Sequence, residues 1–138
     1  MNARPTFEDH PLRVLIGWSG SEPPYQTPLI ARCEPALALP LKDQTVETIR
    51  LLLGQGIAVD VLLPRALEIL ELNILASGDM YDGDLLSACQ RLPASYWSDH
   101  PEHWTELENI HRDFDRKIDQ VNKDRAVFMA RNPFGARL

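Results

Sequence analysis

The stretch PEHWTELENIHRDFDRKIDQVNKDRAVFMAR, residues 101–131, decides the fold class because its pattern predicts one long helix. Pro101 suits the first helical position, where no amide hydrogen is needed, and Glu102 suits the positive end of the helix dipole. Large side chains then recur at intervals of three and four residues: Trp104, Leu107, His111, Phe114, Ile118, Val121, Arg125 and Phe128. Such a seam is typical of packing along other helices, and it predicts core residues. His111 and Arg125 interrupt the seam, which argues against a free-standing coiled coil. Asn132-Pro133 ends the predicted helix.

Helical signals also precede this stretch, from residue 26 onward. Thr27-Pro28 is typical of an N-cap followed by a proline in the first turn, and Pro35 predicts that this helix is short or broken. Thr45 predicts the N-cap of a second helix, which ends where Gly54 and Gly56 provide a stop. The two segments therefore predict a pair of short helices.

The middle of the chain predicts two further helices and the loops around them. Residues 58–63 predict a short turn, after which Pro64 begins a helix that is apolar on several sides, as in the centre of a bundle. Residues 73–82 predict a loop, and Asp82-Gly83-Asp84 opens the next helix. A turn containing Tyr96-Trp97 then leads to residue 101.

The N-terminal residues leave two alternatives open. A short apolar run over residues 12–16 fits either a strand or a helical turn, and the glycines and prolines that follow it predict a loop. The expected fold is all-α, a compact single domain of about five to seven helices with a long C-terminal helix. We expect an irregular N-terminal segment over residues 1–25, a helical domain over residues 26–131 and a frayed tail over residues 132–138.

Composition is that of an ordinary globular protein. The 138 residues are 44% hydrophobic and 25% charged, which is close to the averages for such proteins and is enough for one domain. No apolar run reaches the roughly 20 residues needed to cross a bilayer, and residues 1–10 lack the order of a signal peptide. Cys33 and Cys89 match no metal-ligand spacing and are interpreted as free thiols, although a disulfide stays open. These features predict a cytoplasmic protein with no membrane partner.

Charge is distributed unevenly along the chain, whose net charge is −6. Residues 66–110 contain nine acidic residues and one basic residue, Arg91, whereas residues 111–138 contain four acidic and seven basic residues. A concentrated negative field repels nucleic acid and favours a basic partner. The alternative, that an acidic surface only keeps the protein in solution, stays open.

Few residues are candidates for catalysis or metal binding. His100 and His103, with Glu102 between them, have the spacing of a metal pair, but catalytic zinc usually takes three protein ligands, so a surface or capping role is favoured. No phosphate loop, dinucleotide fingerprint or nucleophile elbow is present. The sequence therefore predicts a protein that is not an enzyme, with no catalytic residues, no metal and no cofactor.

The segment from Asp79 to Asp84 is the more informative cluster. It faintly resembles a calcium loop, but the twelfth position, counted from Asp79, is Gln90 where a glutamate is required. Asp82 or Asp84 can cap the following helix. A recognition role can coexist with capping, because Tyr81 beside three acidic residues is the kind of cluster that protein interfaces use.

Four stretches of the sequence, in this order and spacing, resemble one group of immunity proteins from bacterial contact-dependent growth inhibition (CDI) systems. They are Glu22-Pro23-Pro24-Tyr25 with Leu29-Ile30 and Cys33; Pro40-Leu41 with Thr45-Val46-Glu47 and Gln55-Gly56-Ile57; Leu63-Pro64-Arg65-Ala66-Leu67-Glu68; and Gly78-Asp79-Met80-Tyr81-Asp82-Gly83-Asp84-Leu85-Leu86. Trp97, His100-Pro101-Glu102 and Leu107 continue the likeness, which covers roughly residues 18–110. Gly20-Ser21 is extra loop, Asn73-Ile74 stands where Asp-Pro is expected, and residues 111–138 are not covered.

The resemblance implies a helical protein that binds the C-terminal toxin domain of a large exported effector. Such toxins are commonly nucleases, and this group is similar to the partners of a ribonuclease A-like class. Binding in the cytosol would protect the producing cell by masking the active site or the substrate groove, with no catalysis by the immunity protein. The acidic charge fits such a partner, since a nuclease that holds RNA presents a positive groove.

Six residues are the candidate toxin contacts. Asp79, Tyr81, Asp82 and Asp84 are the first choice, and Glu22 and Tyr25 are the second, with a purely structural role equally open for Tyr25. The alternatives are an adaptor or regulator without a toxin partner, and a metal-dependent hydrolase that uses the two histidines. The oligomeric state is left open, with a monomer favoured, because the seam beyond residue 111 can be satisfied within the chain or across a dimer.

Overall fold

The computed structural model of the protein describes residues 6–18 and 28–135. Within them lie seven α-helices, two short 3-10 helices and no strand. The α-helices are α1 (Leu12–Leu15), α2 (Pro28–Leu37), α3 (Val46–Gly54), α4 (Val59–Leu72), α5 (Asp84–Gln90), α6 (Ala94–Asp99) and α7 (Pro101–Ala130), and the 3-10 helices are Phe7–Asp9 and Leu41–Asp43. The all-α prediction and the long C-terminal helix are confirmed. None of these helices is both long enough and apolar enough to span a bilayer.

The core forms where α2, α3, α4 and α5 pack together, with α1 and the start of α7 added at its sides. Its fully buried large side chains are mainly leucines: Leu12, Leu37, Ile49, Leu52, Leu62, Leu63, Leu67, Leu70 and Leu85. Cys33 and Cys89 are buried as free thiols, and burial raises the pKa of Cys89 to about 12. Both cysteines therefore behave as small apolar core residues with little thiolate at neutral pH.

The predicted start of α3 at Thr45 is confirmed by its capping contacts. The hydroxyl of Thr45 accepts a hydrogen bond from the amide of Thr48 at 3.2 Å, while the Thr48 hydroxyl accepts one from the amide of Thr45 at 2.8 Å. These bonds use amide hydrogens that the first turn of α3 leaves without a helical partner. Pro101 opens α7 as expected, and α2 ends at Leu37, two residues after Pro35.

The N-terminal apolar run is helical rather than a strand. The amide of Leu12 donates to the carbonyl oxygen of Leu39 at 2.9 Å, and the side chain of Leu12 is fully buried. The run thus forms α1, a single helical turn that is hydrogen-bonded to the chain just after α2. The predicted N-cap at Thr27, the glycine–proline loop over residues 19–24 and the end of the tail over residues 136–138 lie outside the described residues, and the domain boundaries stay a prediction.

Two local predictions are wrong. Residues 58–63 are not a turn, because α4 begins at Val59 and continues through Pro64 without a break. The chain reverses instead at Gly56 and Ala58, whose φ angles of 69° and 57° are left-handed. Pro64 has no amide hydrogen, so α4 loses only one backbone hydrogen bond there, to a carbonyl group in its first turn. The Tyr96-Trp97 segment is also not a turn but α6, a short helix after Pro93.

The prediction that the seam of α7 is core is wrong for most of its length. Leu107 is buried, but Trp104, Ile118, Val121 and Phe128 are 53%, 41%, 58% and 71% exposed. For Ile118, Val121 and Phe128, which lie in the second half of α7, the reason is the length of the helix. With a rise of about 1.5 Å per residue, α7 is about 45 Å long, whereas α4, the longest helix packed against it, is about 21 Å long.

Replacing Leu67 by aspartate tests the core. Leu67 is 2% exposed, so Leu67→Asp would bury an unpaired carboxylate and should lower the free energy of unfolding by more than about 3 kcal/mol. Leu72→Asp is the matched control on the same helix, since Leu72 is 90% exposed, and should lower it by less than about 1 kcal/mol, because an acidic residue at the C-terminal end of α4 only opposes the helix dipole. Urea denaturation followed by far-ultraviolet circular dichroism measures both. Equal stability of the two variants would contradict the assigned core.

Candidate functional site

The loop over residues 78–83, which we call the acidic loop, is built around one buried carboxylate. Asp84 is the first residue of α5, and its side chain is 2% exposed. One of its oxygens accepts a hydrogen bond from the amide of Gly78 at 2.7 Å, and the other accepts from the amides of Met80 at 3.0 Å and Tyr81 at 3.4 Å. Three loop amides are therefore satisfied by a single side chain, which fixes the path of the loop.

A second carboxylate, from α3, holds the start of the acidic loop. Glu47 accepts a hydrogen bond from the amide of Asp79 at 2.7 Å, and it accepts two more from the guanidinium group of Arg50. The Nε atom of Arg50 also lies 3.6 Å from Asp84, so the cation lies between the two carboxylates. Helix α3 thus anchors a loop that lies more than twenty residues after it in the chain.

Hydrogen bonds from Arg50 and from the Asp79 amide lower the pKa of Glu47, while partial burial opposes them. A lowered pKa in the folded state means that ionised Glu47 stabilises the fold at neutral pH. That contribution is complete above the ordinary pKa of a glutamate and is lost as the pH falls through the lowered value. Glu47 is therefore ionised at neutral pH, the form that accepts the hydrogen bonds from Arg50 and from the Asp79 amide.

Gly78 lets the loop approach α3 closely. A Cβ atom added at this position would lie 2.2 Å from Oε2 of Glu47 and 3.0 Å from its Cα atom. A side chain at residue 78 would therefore break the contact that anchors the loop. At the other end of the loop, Gly83 has a φ of 88°, a left-handed conformation that favours glycine immediately before α5.

The anchored loop presents polar and apolar side chains to solvent together. Asp79 and Asp82 are exposed, Met80 is 65% exposed and Tyr81 is 52% exposed. The structure therefore brings together three of the predicted contacts, Asp79, Tyr81 and Asp82, and it adds Met80, which the sequence analysis did not select. The sequence feature that could have identified Met80 was its position between two of the selected residues.

The remaining predicted contacts are placed differently. Asp84 lies beneath the loop, where its carboxylate is enclosed by the amides that it binds. Glu22 and Tyr25 lie outside the described residues.

His100 and His103 make contacts that join three helices, α4, α6 and α7. Nε2 of His100 lies 3.2 Å from a carboxylate oxygen of Asp60 in α4, and the ring of Tyr96 in α6 stacks on His100 with 4.4 Å between centroids. Burial, followed by the charges of Asp60 and Glu102, raises the pKa of Tyr96 to about 12, so its hydroxyl stays protonated and can donate to Nδ1 of His103 at 2.9 Å. The sequence favoured a surface or capping role for these histidines, whereas the structure places both rings in contacts between helices, and no side-chain hydrogen bond caps α7.

One ligand atom from each of His100, Glu102 and His103 lies within 4.8 Å of the others. The two imidazole rings are nearly parallel, at 9° with 5.3 Å between centroids, so they stack rather than converge. One ring would have to turn before both could bind a common ion in their planes.

A groove between α4 and α7 is a further surface feature that the sequence analysis missed. Its cavity, of about 360 Å³, has an apolar floor that includes Leu67, Leu70 and Ile110. Glu68, Glu71, Glu106 and Asp113 contribute carboxylates to its lining, and Arg116 and Lys117 contribute basic groups. Three of the carboxylates belong to the acidic stretch over residues 66–110, which was the available signal, but only the packing of α7 on α4 brings these side chains together.

Comparison with known proteins assigns the family. Residues 16–107, well over half of the chain, match the family of CDI immunity proteins. The chain belongs to this family. No individual curated protein matches the sequence. The resemblance noted from the sequence is confirmed, and the matched segment of the immunity protein contains the acidic loop with its anchors, whereas the C-terminal half of α7 lies beyond it.

Replacing Gly78 by alanine tests the anchoring of the loop. The added methyl group has no room against α3, so Gly78→Ala should lower the free energy of unfolding by about 1–3 kcal/mol. Gly54→Ala is the matched control, because a Cβ atom there has nothing within 4 Å and the position is helical, so stability should stay constant or rise by up to about 1 kcal/mol. Equal effects, measured by urea denaturation, would show that the close approach at residue 78 is unimportant.

Proposed function

We propose that this CDI immunity protein neutralises its cognate toxin by placing the acidic loop against a basic, substrate-binding surface of the toxin. The observation that carries the proposal is the anchored loop, which exposes Tyr81 and Met80 beside two carboxylates. A loop held by buried hydrogen bonds loses little conformational entropy on binding, so more of the contact energy is available for affinity.

The exposed side chains of the acidic loop contribute to binding in two different ways. Tyr81 and Met80 supply large, adaptable apolar contacts, and tyrosine is among the residues that contribute most at protein interfaces. Asp79 and Asp82 supply negative charge, which speeds encounter with a basic partner and fixes its orientation. Asp84 enters the proposal as a positioning residue, because its carboxylate is already occupied by loop amides.

The negative charge of the acidic loop best fits a toxin that cleaves RNA. A nuclease must attract phosphates, so it carries a positive groove, and an acidic inhibitor competes for the same surface. We propose a nuclease, with a ribonuclease A-like enzyme as the first candidate class, bound in the cytosol of the producing cell. Inhibition then needs only contact that blocks the active site or the groove, and no catalysis by the immunity protein.

Charge reversal within the acidic loop tests the contact surface. Asp79→Lys with Asp82→Lys should weaken binding to the toxin domain by at least ~10-fold and slow association, because attraction becomes repulsion. Asp115→Lys with Asp119→Lys is the matched control, because it changes the net charge equally on the exposed half of α7. Surface plasmon resonance at several salt concentrations measures both rates. Equal losses would mean that overall charge matters rather than the loop, and unchanged binding of the loop variant would place the contact elsewhere.

The nuclease assignment is tested separately in cells. The C-terminal domain of a cognate CDI effector is expressed with and without this protein, and survival and the integrity of cellular RNA are scored. Survival and intact RNA are expected only when the immunity protein is present. Death without RNA cleavage, prevented by the immunity protein, would overturn the nuclease assignment and leave immunity standing. Death that the immunity protein does not prevent would overturn the proposed pairing.

A further inference from the structure

The groove between α4 and α7 combines two kinds of surface. Its floor is apolar and includes Leu67, Leu70 and Ile110, and four acidic residues contribute carboxylates to its lining. Leu72, the last residue of α4, also lines the groove and is 90% exposed. Apolar surface with carboxylates around it is complementary to a side chain that has an apolar stem and a cationic head.

The two basic residues of the lining are already paired with one of these acidic residues. Arg116 donates a hydrogen bond to one carboxylate oxygen of Asp113 at 3.1 Å, and Nζ of Lys117 lies 3.0 Å from the other oxygen. Both pairs are formed within α7 by residues three and four positions apart, which are neighbours on a helix surface. Arg116 and Lys117 therefore compensate Asp113 and leave the other carboxylates of the groove as they are.

The three glutamates of the lining carry the remaining negative charge. Glu68 lies 3.7 Å from Arg65, whereas neither Glu71 nor Glu106 forms an ion pair with any residue that the structure describes. Glu71 belongs to α4 and Glu106 to α7, so both helices contribute an uncompensated carboxylate to the groove. A cation between the helices is attracted by both without displacing an existing partner.

The spacing of these carboxylates favours an extended cation over a metal ion. Within residues 6–18 and 28–135, only His100, Glu102 and His103 form a group of three ligand atoms within 4.8 Å of one another, and none of them lines the groove. The carboxylates of the groove are therefore too far apart for three of them to bind one ion. A purely apolar ligand would leave them unpaired, and an anion would be repelled. The groove thus fits a lysine or arginine side chain.

The groove adjoins the acidic loop. Ile74 lines the groove, and the carbonyl oxygen of the next residue, Leu75, accepts a hydrogen bond at 3.2 Å from the amide of Gly83 at the end of the loop. Leu72 and Leu75, on the groove side of this contact, are exposed, as is Met80 within the loop. A single basic partner can therefore cover the loop and the groove together.

We propose that the groove between α4 and α7 is a second contact site for the toxin and receives one lysine or arginine side chain from it. The inference rests on the proposed function for the identity of the partner. The apolar stem of the inserted side chain covers the floor, and its cationic head lies between Glu71 and Glu106. A related toxin without a basic side chain at this position would leave both carboxylates unpaired, so the groove contributes to the choice of partner.

Neutralising the two uncompensated glutamates tests the site. Glu71→Gln with Glu106→Gln keeps the size of both side chains and should raise the Kd for the toxin domain of a cognate effector at least ~10-fold, because a charged hydrogen-bonding partner is lost. Glu8→Gln with Asp43→Asn is the matched control, since both residues are exposed, lie outside the groove and remove the same charge. It should change the Kd less than ~2-fold at high salt, where distant charges are screened.

Surface plasmon resonance at high salt measures these affinities, and circular dichroism checks that every variant keeps its helices. Equal losses in the groove variant and its control would attribute the effect to net charge and overturn the site. Unchanged binding of the groove variant would overturn it as well.

A double-mutant cycle tests which toxin residue is inserted. Each lysine and arginine of the toxin domain is replaced by alanine, and every variant is measured against the unaltered immunity protein and against Glu71→Gln with Glu106→Gln. One replacement should cost at least ~10-fold with the unaltered protein and less than ~2-fold with the glutamine variant. Additive effects for every basic residue of the toxin would overturn the insertion of a single side chain.

The groove and the acidic loop can fail separately. Weak binding of the groove variant with normal binding of Asp79→Lys with Asp82→Lys would support the groove and overturn the loop as the contact. The reverse result would overturn the groove and leave the loop. A toxin domain that does not bind the unaltered protein would overturn both.

Discussion

The carboxylate of Asp84 lies under the acidic loop and accepts hydrogen bonds from the amides of Gly78, Met80 and Tyr81. A loop of this length, with no strand or helix of its own, would otherwise have to leave these amides to water and would sample many conformations. Because one buried carboxylate satisfies all three, the backbone is fixed and the side chains between them point outward in a defined arrangement. The surface that we propose for toxin binding depends on this single group.

The anchoring network also explains why several residues occur together in this part of the sequence. Arg50 compensates the negative charge of Glu47 and lies close to Asp84, and Glu47 in turn holds the amide of Asp79. A buried carboxylate without a nearby cation or amide donors would be costly, so each member of the network requires the others. Gly78 is required for a different reason, because the backbone of the loop passes too close to α3 for any side chain.

The immunity protein divides into two regions of opposite character. Residues 66–110 are acidic and contain the loop that we propose meets the toxin, and the C-terminal half of α7 is basic, exposed and outside the segment matched by the family. Surfaces of opposite charge on one chain favour different partners.

The sequence alone determined the local structure wherever the signal was local. Thr45, Pro101 and the Asp82-Gly83-Asp84 turn placed helix ends correctly because caps and first-turn prolines act within a few residues, and the order of the resembling segments indicated the CDI immunity family.

Only the tertiary structure decided which polar and apolar groups are buried. Asp84 and Asp82 are alike in the sequence, yet one is enclosed by loop amides because α3 and the loop close over it. The seam of α7 has a single repeating pattern, yet Leu107 is core and Phe128 is exposed because α4 is too short to cover both. Burial depends on which distant segments meet, and that information is spread over the whole chain.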